Sequence, residues 1–273
     1  VTAGALATLQ AESGGRMICG IGRGDSSAEH IGRRNATTAQ LQTFVQRLKA
    51  YTRGETVDRD GTPSAMRWFD SVDVEPVVVD IACTGPKTIR MAVDTGDRIS
   101  FAVGSAPERV GWAMDTALAR LAETGRPRSD ISIGAYVNLV CDNDEARAID
   151  LGRMISGMVA HFAGMRNAPL DHLPPQLRPL AEMMQTGYDM AHHAQEEGSH
   201  LTAVNDDFVD WFSICGPPDK CQARLQSLVD LGLDHVYLLS GSPVAHPHGP
   251  RQAAMVEQNR LFAEKVLPIF HNT

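Results

Sequence analysis

The chain has 273 residues, 43% of them hydrophobic and 21% charged, enough for one large globular domain or two small ones, with a sizeable core either way. A formal net charge of −8 without a basic block argues against a sequence-independent grip on nucleic acid, which needs clustered Lys and Arg, and favours small-molecule chemistry. No run approaches the ~18 consecutive apolar residues of a membrane span, and "VTAGALATLQAESGGR" has neither a basic leader nor a long apolar core, so a cytoplasmic protein with no membrane contact is expected.

In chain order, short apolar or β-branched runs alternate five times with longer helical patterns. The first run is "MICGI" (17–21). It is followed by a helix whose Leu41, Phe44, Val45 and Leu48 share one face. The Gly, Asp and Pro-rich stretch "RGETVDRDGTP" (53–63) reads as surface loop. The second run is "PVVVDIA" (76–82), with a helix beginning in "TGPKTIRMAV". The third, "DRISFAV" (97–103), leads through "GSAPE" into a helix with Val110, Ala113, Met114, Ala117, Leu118 and Leu121 at helical spacing.

The fourth run, "ISIGAYVNLV" (131–140), precedes "CDNDEARAID", where Asp142 or Asn143 is the expected helix cap and Asp144 and Glu145 suit the positive helix end. A long insertion over 153–205 follows, with Met154, Met158, Met165, Met183, Met184 and Met190, which read as helical core or subunit interface ahead of an adaptable pocket. The fifth run, "DHVYLLS" (234–240), lies between a helix over 219–232 and the terminal helix "RQAAMVEQNRLFAEKVLPIF". Near-continuous apolar runs separated by helices predict parallel strands buried on both faces, an α/β protein. Periodicity leaves an open doubly wound sheet and a (β/α)8 barrel both standing.

The five cysteines, Cys19, Cys83, Cys141, Cys215 and Cys221, are odd in number and form no Cys-x-x-Cys pair, so neither a disulfide framework nor a zinc site is expected. His192-His193 and the "HPH" at 246–248 lack Cys or Asp partners at ligand spacing and read as solvated surface. No metal is assigned.

Two glycine-bearing stretches carry the chemistry. "CGIGRGDS" (19–26) fails the dinucleotide fingerprint Gly-x-Gly-x-x-Gly in both registers, because Asp25 or Ser27 stands at the last position. An Arg-Gly-Asp adhesion role would need an exported loop. The stretch offers instead a bare backbone at the carboxyl end of a strand, open to a flat ring, with one carboxylate at its edge. The competing reading is a tight turn whose glycines supply unusual dihedrals. In "ACTGPKT" (82–88), Gly85 at a helix N-cap and Pro86 at the first helical position would aim free amides outward at the positive helix end, with Thr84 and Lys87 adding a hydroxyl and a cation. Plain helix capping is the alternative there. "CGPPDK" (215–220) is a similar helix start, but Asp219 opposes an anion.

The ordered set "GGRMICGIGRGDS", "DIACTGPKTIRMAVDTGDRIS", "ISIGAYVNLVCDNDEAR" and "SICGPPDKCQARLQSLVDLGLDHVYLL" resembles the luciferase-like flavin or deazaflavin (F420)-dependent oxidoreductases, nearest the methylenetetrahydromethanopterin reductase-like branch. The resemblance runs along nearly the whole chain. It implies a (β/α)8 TIM barrel, one domain over 1–273 with the insertion near 153–205, the chain starting within the third helix and the first three βα units lying outside it. It further implies that Gly22, Arg23, Gly24 and Asp25 line the tricyclic ring, with Asp25 the catalytic candidate for handling a proton. Ala82, Cys83, Thr84, Gly85, Pro86 and Lys87 would hold the cofactor, the phosphate falling to Thr84, Gly85 and Pro86.

The implied cofactor is F420 or FMN, the activity hydride transfer to or from a small organic substrate, and the assembly a homodimer. The alternatives are an FMN-dependent two-component monooxygenase fed by a separate flavin reductase, a phosphate-handling barrel, and a non-catalytic luciferase-like subunit.

Overall fold

The computed structural model describes residues 1–68, 75–163, 204–240 and 250–271, together with Pro175, Arg178, Glu182, Met183 and Leu201. The chain divides into two compact units, one built from residues 1–83, 87–100 and 119–132, the other from 84–86, 101–118 and 133–273. The five apolar runs become five strands whose ends each lie within two residues of expectation, the third stopping at Phe101.

The first unit begins with helix α1 (Thr2–Glu12), strand β1 (Ile18–Ile21), the short helix α2 (Ser26–His30) and helix α3 (Thr38–Tyr51). A capping box starts α3: Thr37 Oγ1 accepts from the Gln40 amide at 3.2 Å, and Gln40 Oε1 accepts from the Thr37 amide at 2.8 Å. Leu41, Val45 and Leu48 are buried as their spacing requires, whereas Phe44 is 43% exposed. Residues 53–63 are not a plain loop. They hold an antiparallel hairpin, β2 (Val57–Arg59) and β3 (Thr62–Ser64), turned by Asp60 (φ 58°) and Gly61 (φ 86°). An Asp-Gly pair with two left-handed residues is the turn that matches strand twist.

Strand β4 (Val78–Cys83) pairs in parallel with β1, from Ile18↔Val78 to Ile21↔Ile81, and has β5 (Arg98–Phe101) as its next neighbour. Val79, Ile81 and Cys83 are buried, but β1 alternates exposed with half-buried residues. The expectation of burial on both faces thus fails for β1, which among the described residues has a strand on one side alone. Helix α4 (Pro86–Thr95) links β4 to β5. Asp97 ties these pieces together: its carboxylate accepts from the Val79 amide at 2.9 Å and from Lys49 Nζ of α3 at 2.6 Å, while Lys49 also donates to the Thr95 carbonyl at 2.9 Å.

In the second unit, β6 (Ser132–Cys141) pairs in parallel with β8 (His235–Leu239) along 134–138 and with β7 (Ile214–Gly216) along 139–141. The three-residue β7 is too short to leave a periodic signal. Among this unit's described residues are also helices α6 (Glu145–Ala163), α7 (Asp206–Phe212), α8 (Pro218–Val229), α9 (Pro250–Lys265) and α10 (Leu267–His271), and helix α5 (Pro107–Thr124) is shared in sequence between the two units. On α5 the expected apolar positions are buried except Leu118, which is exposed. Val140, Leu151, Ile155, Phe208, Phe212 and Cys215 form the centre of this unit's core, with Met158 and Met183 packed at its edge and Met154 buried. Met165, Met184 and Met190, His192, His193 and the histidines at 246 and 248 lie outside the described residues.

Three boundaries differ from expectation. The cap of α6 is Asp144, whose Oδ1 accepts from the Arg147 amide at 3.2 Å, because Asp142 is drawn inward and buried. Arg147 donates to Asp142 at 2.8 and 2.9 Å, Gln258 of α9 at 3.0 Å and the Asp144 amide at 2.9 Å. Helix α8 ends at Val229, with the turn through Gly232 (φ 89°) leading to β8. The terminal helical stretch is two helices, broken at Val266. Among the described residues no helix is long and apolar enough to cross a membrane, no His/Cys/Asp/Glu group of metal-binding size occurs, and all five cysteines are free.

Candidate functional site

In a parallel pair, residues in register point to the same side. Gly20 is opposite Asp80 and Ile21 opposite Ile81, so Gly20, Gly22, Asp80 and Ala82 share one face at the carboxyl ends of β1 and β4, and Ile21 and Ile81 share the other. The structure brings Gly22 and Ala82 together: a Cβ placed on Gly22 would stand 3.8 Å from the Ala82 Cβ. Neither Gly20 nor Gly22 has a left-handed φ, and a Cβ on Gly20 would meet nothing within 4 Å among the described residues. Local backbone geometry therefore does not demand glycine at either place. Gly24 is different, with φ +79°, so the dihedral reading applies to it alone.

One step toward the strand centre lies Asp80, 1% exposed, which sequence reasoning missed as a site residue. Both of its oxygens accept from Ser100 Oγ at 2.9 Å, and Arg98 Nε stands 3.8 Å away. A carboxylate inside the apolar run "VVVDIA" was the available signal, since strand interiors reject an unpaired charge. Cys83 points away from this polar patch, its thiol 3.8 Å from the Ser100 carbonyl, and burial together with the nearby Asp80 charge pushes its pKa far above the ordinary thiol range. It is a packed sulfur with no reactive character.

Beyond Gly22 the chain turns back on itself. Arg23 Nε donates to the Ala36 carbonyl at 2.6 Å and the Ala36 amide donates to the Arg23 carbonyl at 2.9 Å. Asp25 occupies the N-cap position of α2, where its carbonyl accepts from the Ala28 and Glu29 amides at 2.9 and 3.1 Å. Its half-buried carboxylate accepts from Asn35 Nδ2 at 3.4 Å. A depression of about 460 Å³ borders Ile21, Gly22, Arg34, Ala36, Gln40 and Leu41, and opens onto Phe44, which accounts for the exposure of that ring.

Residues 84–87 follow β4 in the chain. Helix α4 begins at Pro86, which puts Gly85 at the N-cap position as expected, and its first turn contains no acidic residue. Among the described residues a Cβ on Gly85 would meet nothing within 4 Å, Thr84 is half-buried and Lys87 exposed. Helix α8 shows the contrast. It also opens with proline, at Pro218 after the cap residue Pro217, but carries Asp219 in its first turn.

A parallel β-α arrangement with a glycine-bearing turn at the carboxyl ends of adjacent strands defines an α/β protein of the kind that places its chemistry at strand ends. The chain belongs to the luciferase-like monooxygenase family, whose model matches residues 1–235. It is 26% identical over 260 residues to 5,10-methylenetetrahydromethanopterin reductase of Methanolobus tindarius, covering 89% of this chain and 73% of that protein. Two solved structures share the fold. The coenzyme F420-dependent tetrahydromethanopterin reductase from Methanopyrus kandleri has a TM-score of 0.68 at 20% identity, covering 98% of this chain and 78% of that one. The oxygenating constituent of 3,6-diketocamphane monooxygenase from Pseudomonas putida, in complex with FMN, has a TM-score of 0.58 at 14% identity, covering 98% and 74%.

Proposed function

We propose that this luciferase-like protein is an oxidoreductase that moves a hydride between a deazaflavin or flavin ring, F420 first, and a small organic substrate. The observation that carries the reading is the bare face at Gly20 and Gly22. Glycine inside a strand costs stability and marks a place where something approaches the backbone closely. Here neither dihedral nor described neighbour calls for it, and a Cβ on Gly20 would meet nothing within 4 Å among the described residues, which leaves that backbone open to approach.

When bound, the cofactor supplies the hydride-carrying chemistry, and the protein supplies position and electrostatics. Gly20, Gly22 and Ala82 present a flat backbone surface. Asp25 is held in one orientation and accepts or returns a proton at the edge of that surface. Thr84, Gly85, Pro86 and Lys87 form an anion seat at the start of α4, where free amides, the helix dipole and one cation favour a phosphate. The solved structure named for coenzyme F420 supports this cofactor. The FMN-bound neighbour supports the second reading, a monooxygenase fed reduced flavin by a separate reductase.

The test is a pair of binding titrations with F420 and with FMN, on the protein and on its Gly85→Asp variant. Asp is a preferred N-cap and the position has room, so the helix is kept while a carboxylate is set against the phosphate. F420 is expected to bind, with an affinity loss of about tenfold or more in the variant, ~1.4 kcal/mol, and an unchanged unfolding midpoint. A preference for FMN would move the reading to the monooxygenase. Binding of neither would sink the redox reading and favour the non-catalytic subunit, and F420 binding with equal affinity in the variant would remove the phosphate from the start of α4.

A further inference from the structure

We propose that Arg23 and Asn35 are positioning residues that hold Asp25 in place, and that Arg23 is not a cofactor ligand. Naming Asp25 as the carboxylate of the site rests on the function proposed above, whereas the positioning itself rests on geometry alone.

Residues 24–35 form a loop closed at its base. The two chain ends are joined by a reciprocal pair, Arg23 Nε to the Ala36 carbonyl at 2.6 Å and the Ala36 amide to the Arg23 carbonyl at 2.9 Å, across thirteen residues. The first bond has a cationic donor, which makes it roughly twice as strong as a neutral one. Because the Nε–H lies in the guanidinium plane, that bond also fixes the direction of the side chain, which runs to Ala36.

The loop interior is built as well as tied. Gly24 (φ +79°) turns the chain into α2, and α2 ends in a Schellman arrangement with Gly32 (φ +69°) at its left-handed position: the Arg33 amide donates to the Ala28 carbonyl and the Gly32 amide to the Glu29 carbonyl, both at 2.8 Å. With the base shut and the short helix capped, Asn35 is the residue just before Ala36, and its Nδ2 reaches Asp25 Oδ1 at 3.4 Å. A carboxylate that must meet a reacting atom benefits from such support, because misplacement by about an ångström costs on the order of a hundredfold in rate. Ala36 and Arg34 also border the depression beside Gly22, so the same clasp shapes the wall next to the bare backbone.

The experiment uses two readouts that need no cofactor. Arg33 and Arg34 are exposed in the loop, so native-state trypsin cleavage there, followed by intact mass, reports whether the clasp is shut. Carbodiimide-driven amine labelling, mapped by mass spectrometry, reports the accessibility of Asp25, with buried Asp80 and Asp142 as internal controls. Arg23→Gln is expected to raise both loop cleavage and Asp25 labelling about tenfold or more, with Asp80 and Asp142 unmoved, and Arg23→Lys to restore part of the protection. Asn35→Ala is expected to raise Asp25 labelling while cleavage stays at the wild-type rate.

Unchanged cleavage and labelling in Arg23→Gln would overturn the proposal, as would labelling of Asp80 and Asp142 rising in step with Asp25, which would make Arg23 a general fold residue. F420 or FMN affinity lost in Arg23→Gln with the loop still protected would make Arg23 a cofactor ligand after all. If the wild-type protein binds neither cofactor, the function reading falls while the two loop readouts still decide the clasp.

Discussion

Replacing Gly20 by alanine should make the protein more stable and a worse binder. In the folded state the added methyl group meets nothing within 4 Å among the described residues, and the residue has no left-handed φ, so no strain is introduced by them. In the unfolded chain the substitution removes conformational freedom, which at an unstrained position stabilises by about 0.4–1 kcal/mol. A ring resting on bare backbone sits at roughly 3.5–4 Å, and a Cβ projecting ~1.5 Å from Cα forces it to lift or tilt, forfeiting dispersion contacts along one edge. A tenfold or greater loss of affinity, about 1.4 kcal/mol, is expected. Urea unfolding at constant slope measures the first effect, and fluorescence titration with F420 or FMN the second. Gly24→Ala is the control: its nearest contact, Ala28 Cβ at 3.7 Å, is ordinary, but φ +79° costs a side chain about 1–2 kcal/mol, so it loses stability as well. Full affinity in Gly20→Ala would show that the ring does not lie on this face, and a fall in its stability would show that the space is already filled.

Gly152→Ala in α6 should destabilise despite a helix-propensity gain of about 1 kcal/mol, because its Cβ would fall 2.5 Å from Cys215 Sγ and overpacking costs about 1–3 kcal/mol. Adding Cys215→Ala should recover at least ~1 kcal/mol of coupling in a urea-unfolding cycle, and strict additivity would refute the contact. Burial alone would raise the Asp142 pKa, but hydrogen bonds from Arg147, the Asp144 amide and Gln258 outweigh it and hold the carboxyl below its ordinary value. Its contribution is thus fully present above the unfolded-state value of about 3.9 and is lost as pH falls through the lower folded value. Asp142→Asn should cost about 1–2 kcal/mol at pH 7, discounted because Arg147 is 50% exposed, and should flatten the acid limb of stability below about pH 4, as read from urea midpoints.

What was legible in the sequence was what depends on near neighbours. The five strand runs declared themselves because a strand buried against a helix must be apolar over consecutive residues, and the Gly85-Pro86 helix start because proline tolerates the first turn. The hairpin at 57–64 was also legible, in the Asp60-Gly61 pair, and was hidden by the polar composition around it. The cap of α6, expected at Asp142 or Asn143, lies one or two residues further on for a tertiary reason: Asp142 is claimed by Gln258 from a helix more than a hundred residues away, which leaves Asp144 to do the capping.

The candidate site divides along the same line. That Gly22 meets Ala82 follows from a strand register no single stretch contains, and that Arg23 turns to Ala36 follows from a loop closure thirteen residues wide. The resemblance places Arg23, between two glycines, against the cofactor ring. The fold spends its Nε on a backbone carbonyl, an acceptor with no side-chain signature. The glycines illustrate the converse. In sequence they look alike, and a turn that merely needs special dihedrals would account for all three. Once φ is known they separate, Gly24 needed by the backbone and Gly20 and Gly22 not, and a residue type that costs stability without a conformational reason points to something that must approach the chain there.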